Sequence, residues 1–161
     1  RSALFHEVYL HEYGTIDNPL PSQFFVPGDR LWFRNPDAAS ADVTGYEGSW
    51  VIYMGSGLFS NFWKRDQPYT LLSKCVEVFH WRDGLKTNAA GESWIDEDAI
   101  ESCVADTLRN PSKLKSVAER MMRMRDPKGV YADGGCLDST REFPKQIFPD
   151  HCELQLPPFK A

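Results

Sequence analysis

The chain of 161 residues is long enough for one domain with a hydrophobic core, and its 42% hydrophobic and 25% charged residues are typical of globular proteins. A formal net charge of −5 and the lack of a long basic run argue against nucleic acids and anionic membrane surfaces as partners. No apolar segment approaches the roughly 20 residues that a membrane-spanning helix needs, so we expect no membrane span.

The cysteine content limits the metal and redox chemistry of the chain. Its four cysteines are Cys75, Cys103, Cys136 and Cys152, and their spacing contains no Cys-x-x-Cys motif. This spacing argues against a thiolate zinc site, and we expect neither a metal ion nor a cofactor. The even count permits disulfides, and a Cys136–Cys152 bridge would restrain a tail that has few other constraints.

The N-terminal segment, residues 1–13, is predicted to form a short helix or strand. His6 and His11, with glutamates beside them, are candidate ligands of a metal site. Residues five apart lie on different faces of a helix, however, which favours the alternative of an ordinary solvated face. Residues 14–21 contain two prolines and a glycine and are predicted to form turns.

Two strands are predicted in the centre of the chain, over residues 30–34 and 50–54. In the first, Leu31 and Phe33 alternate with polar or amphipathic residues, which is the period of a half-buried strand. The second is rich in β-branched and aromatic residues and suits a more buried neighbour. We therefore expect Leu31 and Phe33 to lie in one sheet with residues 51–53.

A third strand is predicted over residues 71–81. Val76, Val78 and His80 would share one side of it, because side chains alternate along a strand. We expect residues 76–80 to join the same sheet. Residues 86–93 are predicted to form a surface loop, because they are rich in Gly, Asn and Ala.

Two helices are predicted next. Asp96 is the expected N-cap of the first, and Asn110-Pro111 ends it. Ser112 is the expected cap of the second helix, which would run to residue 125. The inward-facing residues at helical spacing are Ile100, Cys103, Val104, Thr107 and Leu108 in the first helix and Leu114, Val117, Ala118 and Met121 in the second.

The C-terminal segment, residues 128–161, has no hydrophobic periodicity, and its glycines and prolines indicate turns and extended coil. We assign residues 1–127 to one domain and residues 128–161 to a loop-rich tail packed on it.

Two runs in the centre of the chain carry a family resemblance. Residues 28–37 contain Gly-Asp-x-Leu-x-Phe-x-Asn-Pro-Asp, and residues 48–55 read Gly-Ser-Trp-Val-Ile-Tyr-Met-Gly. Together with Gly57 and Phe59, they resemble the sheet of NlpC-type papain-like cysteine enzymes and of their permuted relatives, the lecithin-retinol-acyltransferase group. They are more similar to bacterial protein-glutamine γ-glutamyltransferases of the kind known from Bacillus spore coats. The resemblance covers residues 4–62 and implies cysteine-dependent acyl transfer at protein glutamine.

The chain departs from that family at two positions. The family's catalytic carboxylate follows the first glycine of the second run, and Ser49 stands there in this sequence. The family's nucleophile is a cysteine on a helix before the first strand, whereas the first cysteine here is Cys75. We expect either that the chain is the C-terminal part of a longer protein whose nucleophile lies upstream, or that it is catalytically silent.

Four residues are candidates for the chemistry, because cysteine acyl transfer needs a thiolate, a base and a group that orients the base. Cys103 is the candidate nucleophile, since it lies on a helix after the strands as in the permuted relatives, although its place two turns into the helix and on the apolar stripe favours a buried structural thiol. His80 is the candidate base. Glu47 is the candidate carboxylate in place of the one that is missing at Ser49, and Ser49 itself marks the family's catalytic position.

These observations favour an α+β fold, with an antiparallel sheet and two packed helices of papain-like or transglutaminase-like type. The resemblance implies γ-glutamyl acyl transfer or deamidation, with protein glutamine as substrate, in a secreted toxin or effector delivered into a target cell; a cytoplasmic location stays open. Further partners would be an N-terminal segment or an immunity-type protein. The alternative is a catalytically silent protein-binding module.

Overall fold

A computed structural model describes residues 10–13, 22–62, 64–123, 135–139 and 141–144 of the chain. Its strands are β1 (Leu10–Tyr13), β2 (Arg30–Arg34), β3 (Gly48–Gly55), β4 (Leu58–Phe59), β5 (Tyr69–Thr70), β6 (Leu85–Thr87), β7 (Ser93–Ile95), β8 (Leu137–Ser139) and β9 (Arg141–Pro144). Its helices are α1 (Ala38–Ala41), α2 (Leu71–Gly84), α3 (Glu97–Arg109), α4 (Pro111–Met121) and a 3-10 turn at Ser22–Phe24. The predicted α+β class is confirmed.

The main sheet in the described part of the chain has five antiparallel strands in the order β5-β4-β3-β2-β8. Between β2 and β3, Leu31 lies opposite Val51 and Phe33 lies opposite Ser49. The predicted pairing of the two central strands is therefore confirmed. The remaining described strands form two-stranded pairs, β1 with β9 and β6 with β7.

Alternation along β2 separates the two faces of this sheet. Leu31 and Phe33 are buried, whereas the residues between and beside them are only half-buried. Val51 is buried on the same face as Leu31, so this face forms one wall of the hydrophobic core.

The family-like run over residues 28–37 has a local structural explanation. The Asp29 carboxylate accepts a hydrogen bond from the Val26 amide at 2.8 Å and closes the turn before β2. The buried Asn35 donates through Nδ2 to Ser40 Oγ at 2.9 Å, and Asp37 caps α1 by accepting from the Ser40 amide at 3.0 Å. Asn35 and Asp37 thus supply side-chain hydrogen bonds where the strand ends at a proline.

The reversal between β3 and β4 depends on positive φ angles. Gly55 and Gly57 have φ values of +93° and +75°. Glycine adopts this region without the steric cost that a Cβ imposes, so the two glycines explain the turn at residues 55–57.

The prediction of a strand over residues 71–81 is wrong, because these residues belong to the 14-residue helix α2. Thr70 and Ser73 begin it with a capping box, in which each side chain accepts a hydrogen bond from the other's backbone amide. The helix is buried on several sides, at Lys74, Cys75, Val76, Val78, His80, Trp81 and Gly84. A helix that is surrounded by protein has no single apolar stripe, so its β-branched run mimicked a buried strand.

The segment over residues 86–93 is more ordered than the predicted loop. It forms most of the β6–β7 hairpin, in which Leu85 lies opposite Ile95. Asn88 organises the turn, because its Oδ1 accepts hydrogen bonds from the amides of Ala90 and Glu92.

Most helix termini follow the sequence signals, but the second predicted helix ends at Met121 rather than at residue 125. Asp96 caps α3 as predicted and accepts from the Ala99 amide at 3.1 Å. Asn110 ends α3 and also caps α4, through a hydrogen bond from the Ser112 amide to its Oδ1. The assignment of Ser112 as cap is therefore wrong, because Pro111 already occupies the first helical position.

The inward faces of the two helices are largely as predicted. Ile100 and Thr107 are buried in α3, and Val117 and Met121 are buried in α4. Leu108 is an exception, since 46% of its surface is exposed near the end of α3.

The sequence predicted turns and extended coil for the tail, but its described part contains the strands β8 and β9. β8 pairs with β2 at the sheet edge, and strands this short carry no recognisable period. The expected Cys136–Cys152 bridge is not formed, because Cys136 is a free, buried thiol; Cys152 lies outside the described residues. His6 and the predicted turn over residues 14–21 also lie outside them.

Among the helices that the structure describes, none has both the length and the hydrophobicity needed to cross a bilayer.

Candidate active site

A cysteine, a histidine and an aspartate meet between α2 and α3. A sulfur of Cys103, a ring nitrogen of His80 and a carboxylate oxygen of Asp83 all lie within 4.8 Å of one another. Two of these residues, Cys103 and His80, were predicted from the sequence, and the packing of the two helices brings them together.

Hydrogen bonds fix the imidazole of His80 at both ring nitrogens. Nδ1 lies 2.6 Å from Asp83 Oδ2, and Nε2 lies 2.7 Å from Thr107 Oγ1. A carboxylate accepts only, so Nδ1 carries the proton and donates to Asp83. In the neutral imidazole, Nε2 then accepts a hydrogen bond from the Thr107 hydroxyl. Asp83 thus holds His80 in the tautomer that a general base requires.

The three groups differ in their access to solvent. His80 is 8% exposed, Cys103 is half-buried, and 43% of the Asp83 side chain is exposed. Cys103 lies nearly two turns after the N-cap Asp96, beyond the first turn in which a helix dipole acts strongly. Any activation of this thiol therefore has to come from His80 rather than from the helix.

The same three residues are the one group of His, Cys and acidic side chains in the described residues that is spaced to hold a metal ion. In their present geometry, His80 and Asp83 are hydrogen-bonded to each other. The separation of 2.6 Å between His80 Nδ1 and Asp83 Oδ2 is shorter than the roughly 3.3 Å between neighbouring ligands of a tetrahedral zinc ion.

A sequence profile of one family accounts for most of the chain: the protein-glutamine gamma-glutamyltransferase family matches over residues 2–140. The chain belongs to this family. No curated protein and no solved structure shows a significant match. Membership supports transglutaminase-type acyl transfer and implies a protein substrate that carries glutamine side chains.

The other two sequence-predicted candidates of this γ-glutamyltransferase-family chain lie elsewhere. Glu47 is exposed, and both of its carboxylate oxygens lie within 3.2 Å of the Gly45 amide. Ser49 is half-buried on β3, opposite Phe33 and on the same face as Val51. This face is the side of the sheet that packs on the core, so Ser49 lies at the edge of the core rather than on the solvent face. Neither residue belongs to the Cys103–His80–Asp83 cluster.

Two members of the site were missed in the sequence, Asp83 and Thr107. Asp83 follows His80 by three residues, a spacing that makes neighbours on a helix but opposite-facing residues on a strand. The wrong strand assignment therefore concealed it. Thr107 was recognised as inward-facing, but only the contact between α2 and α3 shows that it reaches His80.

A second buried polar cluster lies earlier on α2. Lys74 is 2% exposed, and its Nζ lies 3.3 Å from Glu77 Oε1 and 4.2 Å from the centre of the Tyr69 ring. Burial lowers the pKa of Lys74, and burial together with Glu77 raises the pKa of Tyr69. The ion pair and the cation–π contact satisfy this lysine, so it acts as part of the core.

The outer face of the sheet carries an exposed aromatic patch. The rings of Trp32 and Trp50 lie 5.0 Å apart, and the Arg30 guanidinium lies 4.5 Å from the Trp50 ring. Trp50 is 47% exposed and Met54 is 52% exposed. A polar, open depression of about 420 Å³ lies separately, between the α1 loop and the β6–β7 hairpin, and its lining contains none of the candidate residues.

Proposed function

We propose that this chain transfers the γ-glutamyl group of protein glutamine residues, or deamidates them, through a cysteine thioester. Family membership supports the reaction class. The Cys103–His80–Asp83 cluster is the observation that carries the assignment to particular residues, because it combines a thiol, a base and an orienting carboxylate within 4.8 Å.

In this mechanism, His80 takes the proton of Cys103, and the thiolate attacks the carboxamide carbon of the glutamine side chain. The C–N bond breaks, and the nitrogen leaves as ammonia with the proton that His80 returns. A lysine amine or water then attacks the thioester, which releases the amide or acid and restores the thiol. Because the Thr107 hydroxyl occupies His80 Nε2 in the resting state, this hydroxyl has to yield Nε2 when the thiol is deprotonated.

The test is incorporation of a labelled primary amine into casein. Cys103→Ala should abolish incorporation, and Asp83→Asn should lower it at least about tenfold, because the tautomer of His80 is no longer fixed. Ser102→Ala is the matched control, since Ser102 is exposed on the same helix, and it should retain full activity. Incorporation that survives Cys103→Ala would refute the assignment of the nucleophile. If the nucleophile instead lies on a segment upstream of this sequence, incorporation should survive Cys103→Ala only in a longer protein that includes that segment.

We propose further that the protein acts as a secreted bacterial toxin or effector that is delivered into a target cell and is held in check by an immunity-type partner. The support is analogy between acyl-transferring domains of similar architecture. Production of the chain inside bacterial cells tests this setting: growth should be inhibited by the native chain and not by Cys103→Ala. Equal growth of both strains at equal protein levels would contradict the toxin role.

A protein-binding module is the second candidate function. Two observations favour it: both ring nitrogens of His80 are already engaged, and Ser49 stands where the resembled enzymes have a carboxylate. The exposed Trp50 and the half-buried Trp32 beside it would then be the contact surface. Binding of casein without amine incorporation, weakened by Trp50→Ala but not by Trp94→Ala, would support this candidate. Trp94 is a suitable control, because it is equally exposed on the β6–β7 hairpin.

A further inference from the structure

Two thiols that are far apart in the sequence meet in the core. Cys75 lies in the second turn of α2, and Cys136 directly precedes β8 at the sheet edge. Their sulfurs are 3.5 Å apart, and both side chains are fully buried. They are not bonded to each other in this structure, and the Cys136 thiol donates a hydrogen bond to the Met121 carbonyl at 3.2 Å.

We propose that Cys75 and Cys136 are a disulfide-forming pair, which cross-links α2 to the edge strand β8 when the protein folds in an oxidising compartment. The sulfurs have to approach by about 1.5 Å to reach the length of an S–S bond. Rotation about the two Cα–Cβ bonds moves the sulfurs over such distances, and the cost is the hydrogen bond to Met121. Cys136 then pairs with Cys75 and not with Cys152, the partner that the sequence suggested.

The bond forms by exchange with a small disulfide such as oxidised glutathione. One cysteine thiolate attacks the glutathione disulfide and releases the first glutathione thiolate. The second cysteine thiolate then attacks the mixed disulfide at the protein sulfur and releases the second. Each protein thiol loses one proton, and two glutathione molecules are formed for each bond.

Burial controls when this exchange can occur. In the folded chain, burial raises the pKa of the Cys136 thiol, so the thiol is protonated and closed to an oxidant of this size. Exchange therefore precedes the packing of Gly135 and Cys136 against α4 and α2. The backbone hydrogen bonds from Gly135 to Arg120 and from Cys136 to Met121 complete that packing.

The cross-link should stabilise the fold noticeably. The two cysteines are 61 positions apart, and closing a loop of this length removes much of the conformational entropy of the unfolded chain. For a chain of this size, we expect the midpoint of thermal unfolding to rise by about 10 °C on oxidation.

The experiment is refolding of the full chain with oxidised and reduced glutathione, followed by a non-reducing peptide map and thermal unfolding. The expected result is a Cys75–Cys136 peptide pair and a rise in Tm that dithiothreitol reverses. Cys75→Ala should lose both the peptide pair and the rise, whereas Cys103→Ser should keep both. Four free thiols after oxidative refolding, or Cys136 joined to another cysteine, would overturn the proposal on the native sequence alone.

Discussion

Replacing Ser49 by glutamate tests whether the centre of the sheet preserves the outline of an inherited active site. By the resemblance of residues 48–55, Ser49 is expected at the position of the family's carboxylate, and it lies half-buried near the start of β3, opposite Phe33. A glutamate there has a longer side chain than serine, so its carboxylate can reach water at the edge of the core. We expect Ser49→Glu to lower the free energy of unfolding by no more than about 1 kcal/mol.

Val51→Glu is the matched control, because Val51 lies two residues later on the same face and is 1% exposed. A carboxylate at this position has no route to water and no partner, and its burial should cost several kcal/mol. The comparison thus contrasts two identical charges on one strand, one at the edge of the core and one inside it.

Urea unfolding followed by circular dichroism separates the two outcomes. With a slope of about 2 kcal/mol per M, Ser49→Glu should lower the midpoint by at most about 0.5 M, and Val51→Glu should lower it by about 2 M or prevent folding. A midpoint for Ser49→Glu as low as that of Val51→Glu, with an unchanged slope, would show that Ser49 is a core position. This result would refute the inference that Ser49 lies at the position of an inherited active site on β3.

Three further changes test the packing and the titration of the fold. Gly48→Ala would bring a methyl group within 2.6 Å of the Phe33 carbonyl oxygen, so we expect a loss of about 2 kcal/mol in urea unfolding; an unchanged midpoint would contradict the close packing of β2 and β3. Met121→Ala should cost about 3 kcal/mol because Met121 is fully buried, whereas the exposed Met122→Ala should stay within about 0.5 kcal/mol; equal losses would refute the predicted orientation of α4. Burial and a neighbouring glutamate raise the pKa of Tyr46 to about 12 in the folded chain. The unfolded chain therefore loses the Tyr46 hydroxyl proton at a lower pH than the folded chain does, and the free energy of unfolding should fall as the pH rises from 10 to 12. Tyr46→Phe should show a smaller fall in this interval, and an identical fall would exclude Tyr46 as its source.

The sequence by itself determined those features whose causes are local. The alternation in residues 30–34 predicted β2 correctly, because a single half-buried strand carries its own period. Asp96 was identifiable as a helix cap because its side chain bonds to backbone only three residues away. The first family-like run, residues 28–37, also belongs to this class, since its polar residues close turns and caps within a few positions.

Tertiary structure alone decided the nature of residues 71–84 and the composition of the candidate site. The pattern of this segment is ambiguous when protein surrounds it on several sides, and only its packing between the sheet, α3 and α4 identifies it as a helix. The contacts of His80 with Asp83 and Thr107 depend on that helix and on its neighbour α3. The approach of Cys75 to Cys136 spans 61 positions of chain. Such contacts leave no periodic signal in the sequence, because they arise from the way in which separate elements bury their apolar surfaces against one another.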